Sequence, residues 1–336
     1  MEQAPLQPTP VGTFRFNTNS SKLEYYDGNQ WVNITSHSLG GAQQGGRGII
    51  CGGTAGSGAT NVIQYITIAS TGDAADFGDT STTQESYNTA FASATRGVIA
   101  ANGYPGGSNT LEYITIASTG NSVDYGDLVN SGDYGDACFS NQTRGICAGG
   151  HNVPAPVTGI DYFNIATLGN GADFGDITAA RRYPNGTSNS VRGLSFGGYD
   201  GSSAIDNIEY VTIATLGNAL DFGNLITATR GGAALSSQTR AVECGGHGGG
   251  NACQYVTIAT TGNATDFGDM TVPRNDPSSF SNCLRGCIAG GSGTPSNTNA
   301  IEYILVQTTG NGTDFGDLTQ VTWAGCGFSN AHGGVQ

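Results

Sequence analysis

Residues 227–269 read TATRGGAALSSQTRAVECGGHGGGNACQYVTIATTGNATDFGD, and this stretch decides the fold. It divides into short extended runs separated by turn residues. A first strand falls around Gly232 to Ser236, a tight turn at Ser237 to Thr239, and a second strand from Arg240 to Cys244. After Gly245 and Gly246 a loop runs to Asn251, and CQYVTIAT supplies a third strand of alternating and β-branched residues. A turn at Thr261 to Asn263 leads into a short outer strand, ATDFGDM. The unit is four antiparallel strands, too small to bury both of its faces alone.

The same phrase recurs along the chain. An Arg, usually followed by Gly, stands at Arg47, Arg96, Arg144, Arg192, Arg240 and Arg285, with spacings of 49, 48, 48, 48 and 45. A Tyr follows at Tyr65, Tyr113, Tyr162, Tyr210, Tyr255 and Tyr303. The aromatic of the DFGD phrase follows at Phe77, Tyr125, Phe174, Phe222, Phe267 and Phe315. A strand-and-turn period of this length is that of propeller blades, whose faces are covered only when neighbours stack. The expectation is an all-β fold, a six-bladed β-propeller of four-stranded antiparallel blades.

Composition agrees with that expectation. With 55 Gly in 336 residues and 11% charged residues, helix propensity is poor and turns are cheap. Small side chains between closely spaced sheets close a core despite a hydrophobic content of 37%. The formal net charge is -14, and the single Lys is Lys22. A surface this acidic repels phosphate backbones, which argues against nucleic-acid partners. Neither an 18-residue apolar run nor a signal-peptide pattern at Met1 to Pro10 is visible, so neither membrane insertion nor signal-directed export is expected.

The 8 Cys follow the strands. Cys51, Cys147, Cys244 and Cys287 fall in the strands that end in Gly-Gly, and Cys138, Cys283 and Cys326 in the preceding strand. Copies without Cys place Ala100 or Phe196 near the same slots, so buried free thiols are favoured over bridges or metal ligation. CGGH at Cys244 to His247 lacks a second ligand pair at useful spacing, and no cofactor is expected.

The copies resemble the kelch family of β-propellers over about residues 38–336. The likeness lies in an Arg just before the first strand (Arg182, Arg230, Arg274), a Gly-Gly doublet ending the second, and a Tyr about twelve residues on. The Trp of the kelch outer strand is missing, its place taken by the DFGD aromatic. Ala324 to Asn330 aligns with the first-strand segments AALSSQ and SSFSNC, so the C-terminal tail is expected to add a strand beside the first blade and clasp the chain ends.

Strand parity separates two faces. Turns such as SATR, NQTR and SQTR barely vary, whereas the opposite loops at 54–60, 103–109, 151–159, 199–207, 247–252 and 292–300 differ, as do the inter-blade links. Variable loops on a rigid scaffold are where binding groups tend to sit. Tyr104, Tyr134, Tyr183 and Tyr199, with His151 and Arg181, suit stacking on sugar rings and hydrogen bonding to hydroxyls. These are the expected host- or glycan-binding groups; the competing reading is ordinary loop residues.

The DFGD phrases hold eleven carboxylates, from Asp76 and Asp79 to Asp314 and Asp317, with Asn224 replacing one. They read as turn caps or partners of the repeated Arg, with calcium binding and catalysis as alternatives. Repetition argues against catalysis, because an active site needs one distinctive environment. DFG comes without the other kinase segments, and HGGG at His247 without a GxSxG elbow, so no catalytic residue is assigned.

Residues 10–35 differ in kind. Alternating runs at Thr13 to Asn17 and Lys22 to Tyr26 flank a polar turn, and Asp27-Gly28 turns the chain before Trp31 to Ile34. GTFRFNTNSSKLEYYDGNQWVNI resembles a short module of tail-fibre and other virion proteins of tailed bacteriophages, through Gly12, Arg15, Asn17, Glu24, Tyr25, Asp27, Gly28 and Trp31. The resemblance implies a docking module over residues 1–36, with Phe14, Phe16, Tyr25, Tyr26 and Trp31 as contact residues, ahead of a propeller over 37–336. It also implies a noncatalytic virion component assembled in the host cytoplasm, a tail appendage or a capsid decoration. Its partners are other virion proteins, a host-surface glycan or receptor, and further copies of itself. The alternatives are a virion-associated glycan-cleaving enzyme and a cellular kelch-type adaptor.

Overall fold

The computed structural model describes residues 9–18, 22–33, 46–56, 58–84, 89–100, 108–130, 135–152, 154–293 and 296–335. Two compact units divide between Gly40 and Gly41. The first holds one three-stranded antiparallel sheet of Phe14–Asn17, Lys22–Tyr26 and Trp31–Asn33. Alternation gives that sheet two different faces. Phe14 pairs with Tyr25 and Phe16 with Leu23 on one face, while Arg15 pairs with Glu24 on the other. There the Arg15 guanidinium binds Glu24 at 2.7 Å and lies 4.1 Å from the Trp31 ring centroid.

The second unit is all-β among the described residues apart from one 3-10 turn at Gly333–Val335, and is built of small antiparallel four-stranded sheets consistent with a β-propeller-like fold. Each sheet follows the order read from the sequence. In the copy quoted first, Ala233–Ser236, Arg240–Cys244, Ala252–Thr257 and Thr265–Asp269 pair in succession. The first and last segments of the unit meet. Cys326–Ser329 pairs antiparallel with Arg47–Cys51, which continues through Gly58–Thr67 to Ala75–Gln84, so the C-terminal strand completes the N-terminal repeat.

Three sets of repeated contacts join one sheet to the next. The first is steric. A Cβ on Gly97 would lie 1.9 Å from the Phe328 ring, and Gly145 and Gly193 face Phe91 and Phe139 in the same way. The Gly after the repeated Arg therefore leaves room for the bulky side chain of the preceding sheet's first strand. Where the chain carries Ala241 in place of that Gly, the preceding sheet carries Thr187 in place of the Phe.

The second set is at the outer edge. Gly120 N donates to Phe77 O at 2.8 Å, and the equivalent bond runs from Gly72 N to Phe315 O at 2.8 Å. The Asn of the next repeat's turn caps the same phrase, Asn121 Oδ1 accepting from Asp79 N at 3.0 Å. Gly78 sits at φ +151, and a Cβ there would lie 2.4 Å from Gly120 O, so the phrase requires Gly.

The third set uses the repeated Arg. Arg96 Nη1 donates to Ile165 O of the next repeat at 2.8 Å, while its guanidinium lies 4.4 Å from the Tyr113 ring centroid. Tyr113 meets Tyr125 edge-on at 6.2 Å, and the Tyr–Phe pairs of the other repeats do the same. The repeated Arg thus bonds a carbonyl and covers an aromatic. It forms no ion pair with a DFGD carboxylate among the described residues.

A buried polar row replaces the expected Arg–Asp pairing. Gln64, Glu112, Asp161, Glu209, Gln254 and Glu302 immediately precede the repeated Tyr and are all buried. Each caps the link that leaves the preceding repeat. Asp161 Oδ2 accepts from Val129 N at 2.7 Å and Asn130 N at 2.8 Å, and Gln64 Oε1 accepts from Thr319 N at 2.7 Å.

Candidate functional site

The first strands of the sheets surround a channel, and hydroxyls link them. Ser140 Oγ donates to Ala92 O at 2.7 Å, Ser188 Oγ to Ser140 O at 2.6 Å, Ser236 Oγ to Ser188 O at 2.8 Å, and Ser281 Oγ to Ser236 O at 2.8 Å. Ala92 lacks the hydroxyl of this series. At that place His332 enters, its Nε2 lying 2.9 Å from Ala92 O. Burial holds His332 down to about 4, so the neutral ring with Nε2–H donating is the form that fits. The Gly333–Val335 turn follows into the same channel, with Gly333 against Ser188 O and Ser237 O.

The other end of the channel opens into a cavity of about 110 Å³. Among the described residues, its mouth is made by those that lead into five of the first strands. Gly135, Tyr183, Gly231, Asp276 and Ala324 occupy the same repeat position and all have positive φ, from 50° to 67°. Their backbones form a chain around the mouth, Tyr183 N donating to Gly135 O at 2.6 Å, Gly231 N to Tyr183 O at 3.0 Å, Asp276 N to Gly231 O at 2.7 Å, and Ala324 N to Asp276 O at 2.7 Å. Holding Tyr183, Asp276 and Ala324 left-handed costs on the order of 1 kcal/mol each, offset by these bonds.

Side chains that do not repeat collect here. Asp136 is buried, accepts from Thr89 Oγ1 at 3.3 Å, and is pushed up to about 7 by burial. Asp276 Oδ2 lies 3.0 Å from His247 Nε2, and its Oδ1 is buried with no hydrogen-bond partner among the described residues. Just inside the wall, Glu243 accepts from Asn185 Nδ2 at 2.7 Å, and burial holds its carboxyl well above the usual carboxylate range. The mouth is therefore rich in carboxyl groups, with one half-exposed imidazole beside them. It suits hydroxyl-rich or cationic groups rather than anions.

The loop residues expected from the sequence are placed unevenly. Tyr183 reaches the site, its ring against Gly135 and lining the cavity. Tyr199 is half-buried and bridges to Arg182, the residue before Tyr183, with the Arg182 and Arg230 guanidinia 5.1 and 4.3 Å from its ring centroid. His151 is buried in a short ladder opposite Pro156. Arg181 corrects the expectation outright. It is 1% exposed and bound to Glu209 Oε1 at 3.1 Å, Asn207 Oδ1 at 2.7 Å and Ser195 Oγ at 3.2 Å, so it offers no donor to a ligand on the surface. Tyr104 and Tyr134 lie outside the described residues.

The Arg register of the kelch resemblance also needs correction. Arg182 and Arg230 directly precede the left-handed residue, whereas Arg274 stands two before Asp276, in line with Arg181. That one-residue shift carries the side chain inward, and Arg274 is buried 3.2 Å from Glu302. A further correction concerns cysteine. Cys244 and Cys253, opposite each other on adjacent strands, form a disulfide, while the other six are free and buried.

Sequence reasoning missed Asp136, Asn185, Glu243 and Asp276, and weighed His247 only in CGGH and HGGG without assigning it a role. The signal was present as departures from the repeat. Glu243 stands where other copies have Ile50, Ile99, Cys147, Ser195 and Ile288. No protein-family model matches the chain, and a search of curated proteins finds no match either.

Proposed function

We propose that the second unit is a six-bladed, kelch-like propeller serving as a noncatalytic display scaffold, and that the chain is a structural component of a bacteriophage virion. The observation that carries the scaffold reading is how the repeated residues are used. The repeated Arg side chain, the space left by the Gly after it, and the DFGD backbone are engaged in joining neighbouring sheets, whereas the polar side chains at the mouth of the channel are not repeated. In this reading the mouth and the variable links around it meet the partner, either a host-surface glycan or another virion protein.

The virion assignment rests on the resemblance of the N-terminal module to tail-fibre proteins, and the exposed apolar face of its sheet supports a docking role. Phe14 is 65% exposed and Phe16 61%, with Leu23 and Tyr25 beside them on the same face. Tyr26 and Trp31 are half-buried and pack on each other at 5.4 Å, so they serve the module's own sheet. Mass spectrometry of purified virions with copy number tests the assignment. A few copies per particle mark a tail appendage and hundreds a capsid decoration; recovery only from particle-free lysate refutes it. Release of reducing sugars from host capsule by the purified chain would replace the noncatalytic reading with a depolymerase.

A further inference from the structure

Among the described residues, one repeat alone places metal-ligating side chains at three neighbouring positions on the wall of the channel. Asp136 and Cys138 are two residues apart at the start of a first strand and so share one face. Cys147 lies directly opposite Cys138 on the second strand. Asp136 Oδ2 is 3.7 Å and Cys147 Sγ 2.6 Å from Cys138 Sγ, and the three ligand atoms lie within 4.8 Å of one another. All three residues are buried, yet Asp136 and Cys138 line the 110 Å³ cavity, which gives an entry path and room for a further ligand.

The equivalent pairs in the other repeats carry no such set. The places of Cys138 and Cys147 hold Ala90 and Ile99, Gly186 and Ser195, Ala234 and Glu243, Ser279 and Ile288, and Gly327 and Ile50. The scaffold needs only a small residue facing a residue of variable size. Two thiols and a carboxyl at one point are therefore an addition to the fold.

We propose that Asp136, Cys138 and Cys147 bind one thiophilic divalent cation, of which Zn²⁺ fits best, with water from the cavity as the fourth ligand. Soft thiolates select such a cation over Mg²⁺ or Ca²⁺, and three protein ligands plus one open position make a tetrahedral site. Binding exchanges the two thiol protons for the metal, so two protons leave per cation bound, together with the Asp136 carboxyl proton wherever the pH leaves it in place. Zn–S bonds of about 2.3 Å set two sulfurs about 3.8 Å apart. Cys138 therefore turns toward the cavity on binding. Burial now holds the Cys147 thiol well above its ordinary range and raises Cys138 too, and a cation supplies the charge that favours their thiolates.

The test uses the full chain, purified under reducing conditions, stripped of metal and titrated with Co²⁺ and then Zn²⁺. The account expects one equivalent of Co²⁺, a thiolate-to-cobalt charge-transfer band with tetrahedral d–d bands, and displacement by Zn²⁺. Cys138→Ala and Cys147→Ser should abolish the charge-transfer band, and Asp136→Asn should weaken binding at least 10-fold, while Cys283→Ser binds as wild type. These variants are expected to fold, since Ala90 and Ser195 already stand at the corresponding positions; circular dichroism checks this. Absence of stoichiometric binding by the reduced chain overturns the proposal. So does binding that survives Cys138→Ala with Cys147→Ser. A Cys138–Cys147 disulfide that persists under reduction, identified by mass spectrometry of the alkylated chain as that pair left unalkylated and linked, would assign the pair to a staple instead.

Discussion

The outer edge of the propeller-like unit and the mouth of its channel are built by opposite rules. At the edge, one contact is copied from sheet to sheet, as when Gly120 N bonds Phe77 O and Gly169 N bonds Tyr125 O. At the mouth, one backbone position is copied but its side chains differ, running from Gly135 through Tyr183, Gly231 and Asp276 to Ala324. Repetition governs how most sheets join, while side chains vary freely where the backbone alone carries the joint. Chemistry can change at the mouth without loosening the ring.

The largest effect should come from opening the joint altogether. Deleting residues 324–336 removes the strand that pairs with Arg47–Cys51 and the turn that fills the channel, and should lower the melting temperature by more than about 10 °C or abolish cooperative melting. An unchanged melt would break the comparison. Next comes overpacking. Gly97→Val puts a side chain into the Phe328 ring and should cost about 3 kcal/mol in denaturant unfolding. The chain's own exception sharpens this prediction. Because Ala241 and Thr187 replace that Gly and Phe together, the pair Gly97→Ala with Phe328→Thr should be less destabilised than the sum of its single variants.

His332 gives a pH-dependent effect of similar or smaller size. Its folded value of about 4 lies below the ordinary 6.5, so the unfolded chain takes the proton first as pH falls. The neutral ring's contribution is complete above about pH 6.5 and is lost between there and about pH 4, amounting to roughly 3 kcal/mol at most. His332→Gln should flatten that part of the stability–pH curve relative to wild type. Ser188→Ala removes one hydroxyl of the channel series and should cost about 1 kcal/mol, whereas Asp76→Asn at the exposed edge should stay within about 0.5 kcal/mol.

Much of the fold was legible because its units repeat. Arg, Tyr and DFGD recur with one period, and alternation within CQYVTIAT marked a strand whose neighbours could be counted along the chain. The clasp was legible for the same reason, since CGFS at Cys326–Ser329 matches SSFS at Ser278–Ser281. The entry of His332 into the channel was not, because its bond to Ala92 O joins residues 240 apart in the chain and no repeat position marks it. The site was read from loop aromatics, and Tyr183 does line it. Arg181 went astray because a one-residue shift before a left-handed turn decides whether a side chain faces solvent or the core. Asp136, Glu243 and Asp276 were hidden as lapses in a repeat, where a departure carries more information than a match.

The first and last strands of the repeat series belong to one sheet. Amide hydrogen exchange at peptide resolution measures this without altering the chain. The account predicts that residues 47–51 and 326–329 are protected together and exchange with the same slow cooperative opening as residues 192–196 of an interior sheet. Fast exchange at 326–329 with residues 192–196 still protected would show an open, frayed series and contradict it.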